Sequence, residues 1–344
     1  MRKIMEKAKI DNLLRCGLLL GFLLPALALG KELKLVADHW PPFTSQTKGQ
    51  RIAVDLVEQA LQRSGFPAHA SIIEWKQVLD GVKNGKYDAI VGAWKNTERE
   101  QFLLFSRPYL QNRIMLVGRT DNKLETVDIA QLDNKKIGIV KDYAYGDTIL
   151  KNNKIVKVES ATAADNIKNL IAKKVDLIFI DSIVVQSVRE QLPQEVQKQL
   201  VIYPDVVAEQ DLYFAVRKDY PGASALLEKF NNTILAMIAD GSYNRILGFD
   251  WLIADTNDDG VDEYISGNHL QSKSGDPAQS GRTYTLFSKK DSTPPQSTKK
   301  YRVLNLEYNS WDDAQQAINQ AQDSGELQYE DNTSGAIGVF SGQF

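Results

Sequence analysis

Residues 88–109 read DAIVGAWKNTEREQFLLFSRPY and join an apolar strand to a polar turn. The apolar run from Ala89 to Val91 predicts a buried strand, and the turn after it carries Arg99. A strand fixed in a core holds the turn that follows it in a defined place. The arginine guanidinium is planar, donates two parallel hydrogen bonds and stays charged, which suits it to a small carboxylate. We therefore predict a carboxylate-binding position at Arg99.

The composition of the whole sequence is that of an ordinary globular protein. Its 344 residues suffice for two modest domains, or for one two-lobed body with an appendage. Hydrophobic residues make up 43% of the chain and charged residues 25%. The formal net charge of -3 gives no basic surface for nucleic acid, so the composition argues against a nucleic-acid partner.

The first thirty residues differ from the rest. Basic side chains precede the apolar run CGLLLGFLLPALALG, which ends in small residues, so residues 1–30 are predicted to be a cleaved signal peptide. The run is shorter than the ~20 apolar residues of a membrane span, and an uncleaved membrane anchor is the alternative. We expect export to the periplasm. Cys16 is the only cysteine, so the chain after residue 30 has none for a disulfide or a metal site.

Short apolar strands alternate with helical patterns between Lys31 and Trp251. This alternation predicts an α/β fold with largely parallel sheets. Two successive series of such elements indicate two lobes, and the cleft between lobes is a favoured ligand site. The predicted strands are 33–38, 71–75, 88–94, 136–140, a segment near Ile155, 176–181 and 213–217.

Beyond Trp251 the sequence becomes more polar. Residues 252–300 contain a densely acidic segment followed by a stretch rich in Ser, Gly, Pro and Lys, which predicts a flexible linker. Residues 301–344 are assigned to a small α+β unit. In that unit Ser310 and Asp313 have the spacing of a capping box ahead of a helix.

The acidic segment also contains a candidate calcium site. Asp255, Asn257 and Asp259 form a D-x-N-x-D-G pattern, and alternating oxygen ligands followed by a glycine turn can wrap Ca²⁺. Glu263 offers a further oxygen. The twelfth position is Ser266 instead of the glutamate of an EF-hand, so the site would be weak. An acidic turn at the start of the linker is the alternative, and no cofactor is otherwise expected.

Taken together, these features resemble bacterial extracellular solute-binding proteins of family 3, the polar amino-acid-binding group. The resemblance covers roughly residues 31–251 and rests on the order and spacing of several segments. These are ADHWPPF, AVDLVEQALQRSGF, the Arg99 segment with FSRPY, KKIGIV, VDLIFID and DGSYNRILGFDW.

The resemblance implies a type II periplasmic binding protein fold, with two lobes joined by two crossover strands. Lobe 1 would comprise residues 31–112 and 209–251, and lobe 2 residues 113–208. The implied function is that of a periplasmic, non-enzymatic protein that closes on a small polar solute. It would act as a monomer and deliver the solute to an inner-membrane ABC permease.

The resemblance also implies roles for individual residues. Arg99, six residues before Phe105 of FSRPY, would hold the α-carboxylate of the ligand. Asp181 would receive the ligand ammonium group, or serve as the N-cap of the following helix. Trp40 and Trp75 would sandwich the ligand side chain, adding a cation–π term if that side chain is basic.

Two segments depart from the family pattern. The small hydroxyl residues expected before the arginine are replaced by Trp94 and Asn96, and Thr97 lies one position later than the usual threonine. In lobe 2 the Gly-Thr-Thr type loop is replaced by a segment containing Tyr143. These rings are predicted pocket walls, and they favour an aromatic, modified or extended polar solute.

Two other functions use the same scaffold. One is an enzyme similar to cyclohexadienyl dehydratase, because a fold does not determine a function. The other is a sensory binding module that acts on a membrane partner through residues 252–344. Turnover of prephenate or arogenate would indicate the enzyme, and loss of signalling on deletion of the tail would indicate the sensor.

Overall fold

The structure, a computed structural model, describes residues 32–48, 51–124, 129, 132–248, 251–255, 263–266, 283–286, 300–303 and 306–324. The predicted signal peptide lies outside the described residues, as do Asn257 and Asp259 of the predicted calcium site. Among the helices that are described, none has the length and apolar run needed to cross a membrane.

Within the described residues before Trp251, the chain forms eight strands and eight α-helices. The strands are β1 (Leu35–Ala37), β2 (Ala70–Ile72), β3 (Ala89–Trp94), β4 (Leu103–Arg119), β5 (Lys136–Val140), β6 (Val156–Ser160), β7 (Leu177–Asp181) and β8 (Leu200–Arg217). The helices are α1 (Ile52–Arg63), α2 (Trp75–Lys83), α3 (Asp147–Leu150), α4 (Ala163–Ile171), α5 (Ser182–Gln191), α6 (Gln194–Gln197), α7 (Ala223–Ala239) and α8 (Ser242–Leu247). Short 3-10 turns at Arg99–Gln101 and Thr120–Asn122 flank β4.

The eight strands form one mixed sheet in the order β2-β1-β3-β8-β4-β7-β5-β6. β1 pairs in parallel with β2 and β3, and β5 pairs in parallel with β6 and β7. We call the half with β1, β2 and β3 lobe 1, and the half with β5, β6 and β7 lobe 2. The prediction of an α/β fold built from two series is thus confirmed, although the centre of the sheet is antiparallel.

The antiparallel centre consists of the two longest strands. β4 has 17 residues and β8 has 18, and they pair from Leu103 opposite Arg217 to Arg119 opposite Leu200. At ~3.3 Å per residue, such strands extend for about 55 Å, which is long enough to serve both lobes. Gln111 lies opposite Asp211, close to the predicted lobe boundaries at residues 112–113 and 208–209. The lobes are therefore connected by two paired strands.

Helix α1 shows how the sequence produces the layers that cover this sheet. Leu56, Val57, Ala60 and Leu61 recur at helical spacing, and all four are fully buried. Each fully buried leucine or valine side chain contributes about 1.5–3 kcal/mol. Gly65, with φ of +84°, lies two residues beyond the helix end, where a left-handed residue is typical.

Trp75 lies in a different element from the one predicted. β2 ends at Ile72, and Trp75 is the first residue of α2. Trp75, Val78 and Val82 are buried at i, i+3 and i+7, so this segment buries one helical face. The prediction of a strand over residues 71–75 is therefore wrong at its end.

The C-terminal extension contains a second sheet. Its strands are β9 (Trp251–Ala254), β10 (Glu263–Ser266), β11 (Thr283–Leu286), β12 (Lys300–Val303) and β13 (Leu306–Tyr308), followed by helix α9 (Trp311–Ser324). The strand order is β11-β9-β10-β12-β13. β11 falls within the segment predicted as a linker. One half of the predicted capping box is present, because the Asp313 N–H donates to Ser310 Oγ at 3.2 Å. The Asp313 carboxylate accepts from the Ser310 hydroxyl at 2.7 Å.

Candidate functional site

Arg99 is held at the end of the turn that follows β3. Its side chain is only 3% exposed, and its backbone N–H donates to Asn96 Oδ1 at 2.8 Å. The guanidinium donates through Nη1 to the Trp94 carbonyl and through Nη2 to the Asp142 carbonyl at 2.8 Å. The Trp75 ring lies over it, 4.8 Å from Cζ to the ring centroid. Arg99 is therefore a buried cation held in a fixed position, at the end of a strand as the sequence predicts.

The buried position changes the electrostatics of Arg99. Burial lowers the pKa of its guanidinium to about 10, so the side chain remains charged at neutral pH. Both hydrogen-bond acceptors named above are neutral backbone carbonyls. A buried cation is costly to desolvate unless it is paired, and such perturbed groups concentrate at functional sites. Arg99 is therefore suited to a ligand carboxylate.

Three indoles surround the space next to Arg99. We call Trp40, Trp75 and Trp94 the aromatic box. β1 and β3 are parallel neighbours, so Trp40, which follows β1, and Trp94, which ends β3, lie at the same edge of the sheet. Trp75 joins them from the start of α2. All three predicted aromatic residues of lobe 1 are thus brought together.

Tyr143 of lobe 2 lies inside the aromatic box. Its ring centroid is 5.9 Å from those of Trp40 and Trp75 and 5.4 Å from that of Trp94, at interplanar angles of 76–77°. Edge-to-face contacts at such distances are favourable for aromatic pairs. Tyr143, predicted as a pocket wall, contacts every member of the box.

Asp38 completes the site and is a residue that was not predicted from the sequence. Its carboxylate accepts a hydrogen bond from the Tyr143 hydroxyl at 2.6 Å and one from Thr44 Oγ1 at 3.5 Å. The residue is 8% exposed, and burial raises its pKa above the ordinary value. The sequence does contain a signal for this residue, because Asp38 directly follows β1 and lies two residues before Trp40.

Little space remains between these side chains. The cavity has a volume of about 20 Å³ and is lined by residues that include Asp38, Trp40, Trp75, Trp94, Arg99 and Tyr143. A volume of that size holds about one water molecule. Side chains from both lobes therefore fill most of the site.

Asp181 is the N-cap of α5, as one of the two predictions states. Its Oδ1 accepts hydrogen bonds from the N–H groups of Ile183 at 2.8 Å and Val184 at 3.1 Å. Burial raises the pKa of this carboxyl to about 6, and its hydrogen bonds oppose that rise. Asp181 is not among the residues that line the cavity. Its role toward a ligand ammonium stays a prediction.

Asn112 connects Asp181 with the aromatic box. Its Nδ2 donates to Asp181 Oδ2 at 3.1 Å, and its Oδ1 accepts from Trp94 Nε1 at 2.8 Å. Asp181 Oδ2 also accepts from the Arg113 N–H at 3.2 Å. Asn112 lies in β4 where the strand passes between the lobes. The sequence gives no signal for it, because Asn112 stands in the polar run from Gln111 to Arg113 although the residue is fully buried.

Asn96 and Thr97 differ in their relation to the site. Asn96 Oδ1 accepts a hydrogen bond from the Arg99 N–H and so positions the turn. Thr97, in contrast, is exposed to solvent. Thr97 could provide the hydroxyl that the family has one position earlier only if the turn shifted. The hydrogen bond from the Arg99 N–H to Asn96 Oδ1 holds the turn in its present position.

The described residues give no support to the predicted calcium site. Asp255 and Glu263 are buried near the facing ends of β9 and β10, where Glu263 lies opposite Ala254. Across the described ranges, no three His, Cys, Asp or Glu side chains are grouped so as to hold a metal ion.

The fold and the site together define a two-lobed solute-binding protein, in which a buried cation and an aromatic box lie where the lobes meet. The sequence profile of the family described as "Bacterial extracellular solute-binding proteins, family 3" matches residues 34–248, and the chain belongs to this family.

Individual relatives agree with this assignment. "ABC transporter arginine-binding protein 1" of Escherichia coli (strain K12) is 29% identical over 247 residues, which span 69% of this chain and 97% of that protein. "L-cystine-binding protein TcyA" of Bacillus subtilis (strain 168) is 23% identical over 195 residues, or 56% of this chain and 69% of that protein. A solved arginine periplasmic binding protein of Legionella pneumophila has the same fold, with a TM-score of 0.55 and 20% identity over 63% of this chain and 99% of that one. All three are named as binding proteins.

Proposed function

We propose that this protein captures an amino acid with a cationic, flat side chain in the periplasm and delivers it to an ABC importer. One observation carries the proposal: a buried arginine, three tryptophans and a buried aspartate converge on one site. This arrangement offers a cation for a carboxylate and, a few ångströms away, rings and a carboxylate for a cation. Relatives named as arginine-binding proteins support the same solute class.

Arg99 binds the α-carboxylate in this proposal. Its Nη2 already points to a carbonyl oxygen of lobe 2 at 2.8 Å, so a ligand oxygen in that position would meet the same donor. A carboxylate would also relieve the cost of burying an unpaired guanidinium.

The aromatic box and Asp38 select the side chain. A guanidinium between indole faces gains a cation–π attraction of about 0.5–2 kcal/mol. Asp38, which is buried among the lining residues, supplies the opposite charge, and a buried pair is screened little by salt.

Asp181 receives the α-ammonium, as the family resemblance implies. Because its four accepted hydrogen bonds come from Ile183, Val184, Asn112 and Arg113, the ammonium would have to replace one of them. The Asn112 amide is a side chain and so the donor best able to move. Ligand contacts in both lobes then stabilise a closed form with the solute inside.

Delivery to a permease and a periplasmic, monomeric state complete the proposal. The name of the first relative, an ABC transporter protein, supports delivery to a permease, and the signal-peptide pattern of residues 1–30 supports the periplasmic location.

Isothermal titration of the purified protein with four solutes tests this function. L-arginine should bind. L-citrulline, its neutral near-isostere, should bind at least tenfold more weakly because it lacks the charge, as should agmatine, which lacks the carboxylate. L-glutamate should not bind. Equal affinity for arginine and citrulline, or no binding of any basic amino acid, would contradict the proposal.

A further inference from the structure

The backbone of Asp142 occupies the position proposed for a ligand carboxylate. Its carbonyl oxygen accepts a hydrogen bond from Arg99 Nη2 at 2.8 Å and another from Trp75 Nε1 at 3.1 Å. Both donors belong to lobe 1, and the oxygen belongs to a loop of lobe 2. Arg99 Nη2 and Trp75 Nε1 therefore both donate to one oxygen of the protein itself.

The side chain of Tyr143 occupies the position proposed for a ligand side chain. Its ring contacts all three tryptophans of the aromatic box, and its hydroxyl donates to Asp38 at 2.6 Å. A flat group with a hydrogen-bond donor at its tip is also what a guanidinium presents. With this ring in place the remaining cavity is only about 20 Å³, too small for an amino acid.

The conformation of the loop aims both groups at lobe 1. Asp142 has φ of +61°, in the left-handed region that residues other than glycine rarely adopt. The Tyr143 N–H donates to the Val140 carbonyl at 3.3 Å, which closes a tight turn directly after β5. Residues in such backbone regions are held by surrounding contacts and concentrate at ligand clamps and switches.

We propose that Asp142 and Tyr143 act as an intramolecular ligand. The pair occupies the solute site, holds the two lobes together when no solute is bound, and leaves the site when solute enters. This inference rests on the proposed function for the identity of the solute, whereas the self-occupied closed state does not depend on it.

Self-occupation lowers the affinity for solute in a calculable way. The apparent dissociation constant equals the intrinsic one divided by the fraction of molecules whose site is free. If that fraction is about 1–10%, removing the occupant tightens binding roughly 10- to 100-fold. A tyrosine that only formed a wall of the pocket would have the opposite effect, because its removal would weaken binding. The sign of the change therefore separates an occupant from a wall.

A distance measurement without solute tests the closed state. Nitroxide labels at Gln77→Cys on α2 and Lys168→Cys on α4, both exposed, report on the separation of the lobes in the full chain carrying Cys16→Ser. With Tyr143 unchanged, the two labels should lie mainly at the short distance that corresponds to the closed lobes. Tyr143→Ala should shift the population to a longer one, and Tyr143→Phe, which keeps the ring, should shift it less. Identical distance distributions for all three would overturn the proposal.

Tyr145→Phe is the matched control. The Tyr145 hydroxyl accepts a hydrogen bond from the Val140 N–H at 3.0 Å, within lobe 2, so its loss should leave the lobe distance unchanged. If Tyr143→Ala does not fold, as judged by circular dichroism, the comparison of Tyr143→Phe with Tyr145→Phe decides the question. An equal effect of both substitutions would contradict a specific role of Tyr143.

Titration with L-arginine is the second arm. Tyr143→Ala should lower the dissociation constant roughly 10- to 100-fold and Tyr143→Phe less, whereas Tyr145→Phe should not change it. Weaker arginine binding by Tyr143→Ala would overturn the proposal. If no solute binds but Tyr143→Ala still opens the lobes, the proposed solute is wrong and the intramolecular ligand is supported.

Discussion

At the scale of single residues, the site depends on the shape of Arg99 as well as on its charge. Arg99→Lys keeps the charge but loses the planar fork that donates to two carbonyls. We expect the affinity for L-arginine to fall about 10- to 100-fold, since a lysine cannot bind a carboxylate through two parallel hydrogen bonds. Titration calorimetry measures the change. Arg107→Lys, at an exposed arginine of the same segment, is the control, and an unchanged affinity of Arg99→Lys would contradict the assigned role.

Asp38 makes a different contribution, because it distinguishes a charged from a neutral side chain. Asp38→Asn keeps an oxygen that can accept the Tyr143 hydroxyl but removes the negative charge. We expect the affinity for L-arginine to fall at least tenfold and that for L-citrulline to change less, so that the ratio of the two dissociation constants approaches one. Competition titrations give that ratio. Retention of the wild-type ratio would show that the charge of Asp38 does not select the solute.

At the scale of elements, periodicity predicts those that bury one regular face. The helical spacing of Leu56, Val57, Ala60 and Leu61 defines α1, and apolar runs define β5 and β7. Residues 71–75 are ambiguous because a short apolar run fits a strand as well as a helix start. The first part of β8 contains Pro204 and Asp205, so its sequence lacks a strand pattern, and its pairing with β4 sets its length.

The candidate site was predictable only in part, because local sequence patterns reveal residues at strand ends but not contacts between distant segments. Arg99 and the tryptophans follow strand ends and can be found by reading along the chain. The hydrogen bond between Asp38 and Tyr143 joins residues separated by 105 positions, and no local pattern encodes such a contact.

The cap of α5 makes the stability of the protein depend on pH. Burial raises the pKa of Asp181 from its ordinary value of 3.8 to about 6, so the folded state keeps a proton between these values that the unfolded chain has lost. Unfolding therefore releases a proton in this window, and the free energy of unfolding falls by up to ~3 kcal/mol as pH rises from about 4 to 6. Asp181→Asn should make this decline shallower, leaving the smaller part contributed by other buried carboxyls such as Asp38, as measured by urea unfolding at several pH values. Asp205→Asn, at an exposed site, should retain it, and equal slopes for both variants would contradict the assignment.

At the scale of the whole molecule, all residues of the candidate site belong to the two lobes. Asp38, the aromatic box, Arg99 and Tyr143 lie on the elements from β1 to the loop after β5. The C-terminal sheet contacts this body elsewhere: Asn244 Nδ2 in α8 donates to the Ile265 carbonyl in β10 at 2.9 Å. Leu252, Ile265 and Leu286 of this sheet belong to the same hydrophobic core as the two lobes. The extension is therefore placed to stabilise the body without contributing to the site.

Truncation after Ala254 should separate these two roles. We expect the affinity for L-arginine to change less than about threefold, because no site residue is removed. The free energy of unfolding should fall by more than the ~1–3 kcal/mol that a buried amide without its acceptor costs, since apolar surface that the extension covers becomes exposed. Asn244→Ala in the full chain measures the hydrogen bond alone and should cost less than the truncation. A loss of solute affinity above tenfold in a truncated protein that still unfolds cooperatively would show that the extension takes part in lobe closure.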